Sequence, residues 1–171
     1  CPSSGPDGVI IADTLYTVFM SGASGANRVY LSTTSLSNPE SSSTKLLAED
    51  IADLNSQNYP RIAHHDSAVA IVWKQVVDND AQIAFLYKDK LQDGFPQAAE
   101  VIASSTSNNL TNPDVVVSNG KVHVVWQNNA DNTIQYISGV YGLTGITSTS
   151  NQKLTIEIFP NPASEYISVK E

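Results

Sequence analysis

The sequence predicts an all-β fold built from three similar units, and three observations lead to that prediction. Runs of Val, Ile, Tyr and Thr alternate with Gly, Ser, Asn and Asp along the 171 residues, a pattern typical of short strands and tight turns. Residues 115–117 and 122–126 flank Asn119-Gly120, a strong hairpin signal because both central residues of such a turn require positive φ. Similar hairpins recur upstream, which indicates a repeat architecture.

The repeat has a period of about 53 residues, visible at the end of the second strand and at the turn. The strand-end series is Trp126, Trp73 and Met20, and the turn series is Asn119, Asp66 and Asp13. Four short strands recurring at such an interval are typical of propeller blades, each too small to bury both faces alone. We therefore predict a partial β-propeller of three four-stranded blades. A closed propeller usually has at least four, so either further blades precede these three or a partner covers an open stack.

The strands of each predicted blade are short apolar runs between turn residues. After an N-terminal tail at 1–7, the first blade (8–55) has strands at 9–12, 15–20, 28–32 and 45–48 and a turn at Asp13-Thr14. The second blade (59–108) has strands at 59–63, 68–73, 82–87 and 100–103 and a turn at Asp66-Ser67. The third (112–140) contains the Asn119-Gly120 hairpin and a strand at 133–137.

The charge of the chain argues against two classes of partner. Seventeen acidic and nine basic residues give a net charge of −8, whereas nucleic acid and anionic membrane surfaces both require a cationic face. No apolar run is long enough to span a bilayer as a helix. Because Cys1 is the only cysteine, the chain cannot form an internal disulfide. This residue is either a lipid-modified tether or a chain end created by truncation or processing, which is the preferred alternative.

Several marker residues resemble those of sialidase-like and related repeat propellers. Tyr59-Pro60 and Asn112-Pro113 open their blades, and Trp73 and Trp126 end the second strands. The resemblance implies a propeller and leaves its function open, because such folds serve enzymes, adhesins and spacers alike. The two tryptophans could line a sugar-binding surface, but their shared place in the repeat favours packing between blades.

Candidate catalytic and metal-binding side chains are few. Sialidase chemistry needs an arginine cluster that binds a carboxylate, and the chain has only Arg28 and Arg61, so we predict no catalytic residue. His64 and His65 are adjacent and would point to opposite faces of a strand, where they cannot chelate one ion together. His123 is a lone histidine in an apolar strand. Two oxygen-rich loops have too few ligands for a dedicated calcium loop: 78–80 and 131–132. No metal and no cofactor are predicted.

The composition changes near the end of the chain. Residues 141–152 are rich in Gly, Thr, Ser and Asn and predict a linker, and residues 153–171 predict the first strands of a β-sandwich domain. Here an apolar strand leads into a proline-fixed turn, and a second strand follows. The motif consists of Phe159, Pro160, Asn161, Pro162 and Tyr166. It resembles the opening of the C-terminal sorting domain of the type IX secretion system of Bacteroidota.

This resemblance implies a secreted or cell-surface protein, with the type IX translocon and its shuttle proteins as partners and the propeller as cargo. A proline-fixed turn loses little entropy on binding, so a receptor can recognise it at low ordering cost. The alternative is an ordinary Pro-Asn-Pro turn in an unrelated sandwich.

Two hairpin turns carry a possible modification pattern. Asp13-Thr14-Leu15 and Asp66-Ser67-Ala68 resemble the O-glycosylation acceptor of exported Bacteroidota proteins, in which Asp precedes Ser or Thr and an apolar residue follows. Exposed turns are accessible to a transferase, so Thr14 and Ser67 are predicted O-glycosylation sites. The alternative is that both pairs are good turn formers. Asn109 begins an N-linked sequon, a weaker prediction in a bacterial context.

Three functions remain open at this point. The leading hypothesis is an exported, non-catalytic propeller that binds a glycan or protein ligand. The first alternative is a fragment of an exported glycoside hydrolase or peptidase whose catalytic residues lie outside this chain. The second is an accessory component of the secretion or motility apparatus.

Overall fold

The computed structural model describes residues 5–48, 51–90, 93–142 and 145–147, and its regular elements are all β-strands. Blade 1 contains β1 (Asp7–Ile11), β2 (Thr14–Ser21), β3 (Arg28–Ser35) and β4 (Ser42–Leu46). Blade 2 contains β5 (Leu54–His65), β6 (Ala68–Val77), β7 (Asp80–Lys88) and β8 (Glu100–Ser105). Blade 3 contains β9 (Leu110–Ser118), β10 (Lys121–Asn128), β11 (Thr133–Gly142) and β12 (Gly145–Thr147).

Each blade is an antiparallel meander in which sequential strands are neighbours. β5 packs against both β1 and β9, so the first strands of successive blades adjoin and the fourth strands lie at the outer edges. This is how propeller blades are arranged around an axis. The all-β prediction and the prediction of three four-stranded blades are confirmed.

Two hydrophobic layers hold the blades together. Val18, Val29 and Leu31 of blade 1 meet Val69, Ile71 and Trp73 of blade 2. Val72, Ile83 and Phe85 of blade 2 meet Val115, Val124 and Trp126 of blade 3. Because blade 2 is covered on both faces, β6 is buried continuously from residue 69 to 76, whereas β9 alternates between buried and exposed residues.

The two tryptophans belong to these layers, as their shared position predicted. Trp73 is 0% exposed and Trp126 is 6% exposed. Their indole N–H groups donate to Gln75 Oε1 at 3.1 Å and to Gln135 Oε1 at 2.8 Å, so the polar end of each buried ring is satisfied. Neither ring lines a sugar-binding surface in the part of the chain that the structure describes.

The first hairpin turn lies one residue earlier than predicted. Ile11 pairs with Thr14, so the turn residues are Ala12 and Asp13, and Thr14 begins β2. Ala12 has the positive φ of 51°, although Ala tolerates that region less well than Asp or Asn. In the second hairpin His65 pairs with Ala68.

The displaced turn also changes the match between blades 1 and 2. Their structural spacing is 54 residues rather than 53, because Thr14 of blade 1 corresponds to Ala68 of blade 2. Phe19, and not Met20, is therefore the counterpart of Trp73. A single extra residue in this way changes which side of a sheet each side chain faces.

Two outer strands also differ from the sequence prediction. β4 lies within the Ser-rich segment, because Ser43 pairs with Thr33 and an edge strand needs backbone pairing rather than hydrophobic side chains. Leu47 and Ala48, predicted as strand residues, instead leave the sheet and are buried in the layer between blades 1 and 2. β12 lies within the predicted 141–152 linker and pairs with the end of β11.

The predicted sorting motif, Phe159, Pro160, Asn161, Pro162 and Tyr166, and the predicted domain at 153–171 lie outside the described residues. Within the described ranges, no helix has the length and apolar character needed to cross a membrane.

Candidate functional site

A proline followed by a charged residue recurs at the first strand of each blade, at the start of β1 and within β5 and β9. Pro6-Asp7, Pro60-Arg61 and Pro113-Asp114 occupy equivalent positions, 54 and 53 residues apart. We call Asp7, Arg61 and Asp114 the inner-strand charges. Asp7, Arg61 and Asp114 pair with the equivalent residues Val18, Val72 and Val125. Since the first strands adjoin, the repeat places one charged residue per blade at the same level of these strands.

The backbone at these positions is bulged in blades 2 and 3. Tyr59 and Asn112, which precede the prolines, have φ of 55° and 49°, although a residue before proline favours extended conformations. The pairing of β5 with β6 shifts between Asn58 and Arg61, and β9 shows a corresponding shift. Bulges of this kind redirect side chains and are frequent beside functional sites.

The inner-strand carboxylates have different hydrogen-bond partners. Asp7 Oδ1 accepts from the N–H of Gly8 at 2.9 Å, and its Oδ2 accepts from the N–H of Ile62 on blade 2 at 3.0 Å. Asp114 Oδ1 accepts from the N–H of Val115 at 2.9 Å. Asp7 therefore joins blade 1 to blade 2 by hydrogen bonds to the N–H groups of Gly8 and Ile62, an arrangement that we call the clasp. Asp114 has one oxygen without a partner among the described residues.

Arg61 lies between these carboxylates in the repeat. Its Nη1 donates to the carbonyl oxygen of Pro60 at 2.8 Å. No ion pair within 4 Å joins it to an acidic group in the described ranges, so the guanidinium retains further donors for a ligand.

β5 also carries two amide side chains shortly before Pro60, those of Gln57 and Asn58. Gln57 is fully buried and its Oε1 accepts from the N–H of Val29 at 2.9 Å. Gln57 Nε2 and Asn58 Oδ1 are buried without a protein hydrogen-bond partner. Such groups cost free energy unless water or a ligand satisfies them.

A second site contains a buried lysine held by aromatic rings. Lys88 Nζ lies 5.3 Å from the ring centroid of Tyr16 and 4.9 Å from that of Phe95, and it donates to the carbonyl oxygen of Asp93 at 3.3 Å. Lys45 lies over the same Phe95 ring at 5.7 Å. Burial and the nearby Lys45 charge lower the pKa of Lys88. A cavity of about 190 Å³ adjoins this group, lined in part by Lys45, Leu47, Phe95 and Gln97.

The two predicted glycosylation residues occupy different environments. Ser67 is exposed in its hairpin turn, and its Oγ donates to the carbonyl oxygen of Asp89 at 2.7 Å. Thr14 is half-buried at the start of β2. The adjacent Asp13 carboxylate accepts hydrogen bonds from the hydroxyl groups of Ser35 and Ser37, and these lower its pKa, the Ser37 bond most. Modification of Thr14 and Ser67 stays a prediction.

The three histidines have different surroundings and share no partner among the described residues. His64 is exposed, and the neighbouring His65 Nδ1 lies 3.4 Å from Asp66 Oδ2. His123 Nδ1 shares a 2.7 Å hydrogen bond with the Tyr136 hydroxyl, and the two rings stack. The described residues contain no group of three or more His, Cys, Asp or Glu side chains placed to hold a metal ion.

Sequence reasoning missed the inner-strand charges and the Lys88 site. The recurring proline and charged residue is visible in the sequence as a signal, since Tyr59-Pro60 and Asn112-Pro113 mark the openings of their blades. The Lys88 site gave no such signal, because Tyr16, Lys45 and Phe95 are distant in sequence and meet only through packing of blades 1 and 2.

No protein-family model matches the chain, and no curated protein matches it. Among solved structures, the GH32 β-fructofuranosidase BmSUC1 of Bombyx mori has a TM-score of 0.51 and 15% identity, with 90% of this chain and 38% of that chain covered. The α-L-arabinanase of Cellvibrio cellulosa, in complex with arabinohexaose, has a TM-score of 0.50 and 10% identity, with 82% and 54% covered.

These neighbours are β-propeller glycoside hydrolases. At such low identities their likeness supports the propeller fold of this chain and nothing finer. The chain spans less than two thirds of the length of either neighbour.

Proposed function

We propose that this chain forms part of an extracellular β-propeller module that binds a glycan without cleaving it. The observation that carries the proposal is the set of inner-strand charges, Asp7, Arg61 and Asp114, which occupy equivalent positions on the adjoining first strands. A guanidinium and a carboxylate with unused hydrogen-bonding capacity suit the many hydroxyl groups of a sugar. The arabinohexaose bound by the arabinanase neighbour makes a glycan the ligand class to test first.

Binding is favoured over hydrolysis by the state of the two carboxylates. Glycoside hydrolysis generally uses an acid and a base or nucleophile, both facing the scissile bond. Both oxygens of Asp7 already accept backbone N–H groups, so Asp7 serves the structure. Of the inner-strand charges, Asp114 alone is a carboxylate with an open oxygen.

The test is a titration of the full chain with arabinohexaose and with sucrose by isothermal calorimetry. We expect saturable binding of at least one sugar, weakened about tenfold or more by Arg61→Ala, which is roughly the loss of one or two charged hydrogen bonds. Glu40→Gln, in the exposed β3–β4 loop, is the matched control and should bind like the unmodified chain. Absence of binding, followed by absence of any hit on a broad glycan array, would refute the proposal.

The second candidate function is that of a glycoside hydrolase fragment, which the β-fructofuranosidase and arabinanase fold neighbours favour. A longer gene product that releases reducing sugar from arabinan or sucrose, and loses this activity on Asp114→Asn, would establish hydrolysis in place of binding alone. Binding without release supports the non-catalytic proposal.

We also propose that the chain is exported through the type IX secretion system, on the strength of the motif Phe159, Pro160, Asn161, Pro162 and Tyr166. Deleting residues 160–169 should leave the protein inside the cell of a type IX-competent host, while the intact chain reaches the surface or the medium. Equal export of both forms would refute this assignment. Intact-mass analysis of the exported protein tests O-glycosylation at the same time, because loss of the added mass in Ser67→Ala or Thr14→Ala would locate the glycan.

A further inference from the structure

The two sides of each blade have distinct and repeated roles. We call the side that faces the preceding blade the near face and the side that faces the following blade the far face. The far face of blade 1 includes Val9, Tyr16, Val18, Val29 and Leu31, all in the layer against blade 2. The far face of blade 2 includes Ala63, Ala70, Val72, Ile83 and Phe85, all in the layer against blade 3.

The far face of blade 3 carries the same positions, and none of the described residues covers them. Val116 corresponds to Ala63 and is 56% exposed, and Val125 corresponds to Val72 and is 36% exposed. Val140, opposite Lys121 on the same side of the sheet, is also exposed. An exposed apolar patch at the position where two other blades form an interface marks an interaction surface.

Asp114 repeats one of the two hydrogen bonds that Asp7 makes in the clasp between blades 1 and 2, and lacks the other among the described residues. Asp7 uses Oδ1 for the next N–H in its own strand and Oδ2 for the N–H of Ile62 on the following blade. Asp114 uses Oδ1 in the same way, and its Oδ2 has no partner in the described part of the chain. A blade docked on this face would offer its own counterpart of the Ile62 N–H to that oxygen.

A blade can dock here only if its backbone N–H at the position of Ile62 is free to donate to Asp114. The Ile62 N–H is available to Asp7 because Arg61, which precedes it, has no acceptor to occupy it. In blades that carry Asp at the Arg61 position, the corresponding N–H groups of Gly8 and Val115 are taken by their own Asp7 and Asp114. The docking blade must therefore carry a neutral or cationic residue at that position.

This requirement argues against a second copy of the chain as the occupant. A second copy would present blade 1, whose Gly8 N–H is already satisfied and whose Asp7 carboxylate would lie beside Asp114. Two like charges close together in an interface are unfavourable. We infer that the far face of blade 3 docks a further four-stranded blade of this repeat, carried by the same polypeptide, with a non-acidic residue at the Arg61 position.

Blade 2 is itself a blade of the required kind, so it can serve as the probe. A copy of residues 51–105 is inserted into the full chain after Thr147, in a Cys1→Ser background. Val116→Cys then reports on cover of the far face through its rate of reaction with a thiol reagent. Val101→Cys is the matched control, because Val101 is 46% exposed on β8 at an outer edge.

We expect the insertion to slow labelling of Val116→Cys by about tenfold or more, the protection expected when access requires opening of a closed interface. Labelling of Val101→Cys should be unchanged. Arg61→Asp in the inserted copy should restore faster labelling at Val116→Cys, and the full chain without the insert should sediment as a monomer.

Three outcomes would overturn the inference. The first is equal labelling of Val116→Cys with and without the insert. This includes the case in which the inserted blade stays unfolded because it does not pack on blade 3, as shown by solvent-exposed emission from its copy of Trp73. The second is protection that survives Arg61→Asp in the copy. The third is a dimer of the unextended chain in which Val116→Cys is protected, since a second copy would then be the occupant.

Discussion

Blade 2 and blade 3 have the same strand order and share the repeat positions of Pro60 and Trp73, yet their far faces differ in what covers them. Val72 of blade 2 is fully buried, and its counterpart Val125 is 36% exposed. Ala70 and Phe85 of blade 2 are replaced by His123 and Tyr136, which hydrogen-bond each other. The comparison shows that the repeat specifies a face competent for burial, and that the neighbouring sheet decides whether burial occurs.

The largest effect should come from the near faces. Trp73→Ala should lower the free energy of unfolding by about 3–5 kcal/mol, since it empties a fully buried aromatic site between blades 1 and 2. Phe19→Ala, at the corresponding place on the uncovered near face of blade 1, should cost about 1 kcal/mol, mainly through its stack with Tyr30. Urea unfolding followed by circular dichroism measures both, and equal costs would mean that the near face of blade 1 is covered in solution.

The far faces give the next contrast. Val72→Ala should cost about 2 kcal/mol through lost burial and the cavity left behind. Val125→Ala should change stability by no more than about 0.5 kcal/mol, as is usual for exposed positions. Comparable costs at the two positions would mean that the far face of blade 3 is covered in solution.

The stability contributed by the clasp between blades 1 and 2 can be measured by comparing substitutions of Asp7 and of Asp114, its counterpart in blade 3. Asp7→Ala should cost about 1–3 kcal/mol, because it leaves the Ile62 N–H without its charged acceptor. Asp114→Ala removes only a bond to its own neighbour in sequence and should cost less, as judged from the same urea midpoints. A larger effect at Asp114 would show that its second oxygen already has a partner.

The smallest expected effect is a pH dependence carried by the two buried lysines of blade 2. Burial lowers the pKa of Lys74 and of Lys88 from the usual 10.5. Between the lowered pKa and 10.5 the unfolded chain binds more protons than the folded one, so stability should rise with pH in that alkaline range. Lys88→Met should reduce this rise and the exposed Lys121→Met should not, as followed by thermal unfolding across that range. Blade 3 has Gln127 at the position of Lys74, and because glutamine does not titrate, this position adds nothing to the alkaline rise in stability.

Much of the fold was predictable because its signals are local. Asn119-Gly120 predicted the third hairpin, and the structure gives these residues φ of 48° and 75°. The shared position of Trp73 and Trp126 predicted burial between blades. Ala12 misled the prediction of the first turn, because its positive φ is imposed by the flanking strand pairing and not by a preference of the residue. β12 was missed for a related reason, since an edge strand is held mainly by pairing with its neighbour.

The sequence alone determined the all-β class, the blade repeat and the apolar side chains that each sheet can bury, because strand alternation and turn preferences act over a few residues. Only the tertiary structure decided which faces are covered, and it also brought Asp7 to Ile62 across 55 positions of sequence and Lys88 to Tyr16 and Phe95. Those outcomes depend on how one sheet packs on the next. Burial and long-range hydrogen bonding are properties of the assembled blades, so the same repeat yields a closed interface at blade 2 and an open one at blade 3.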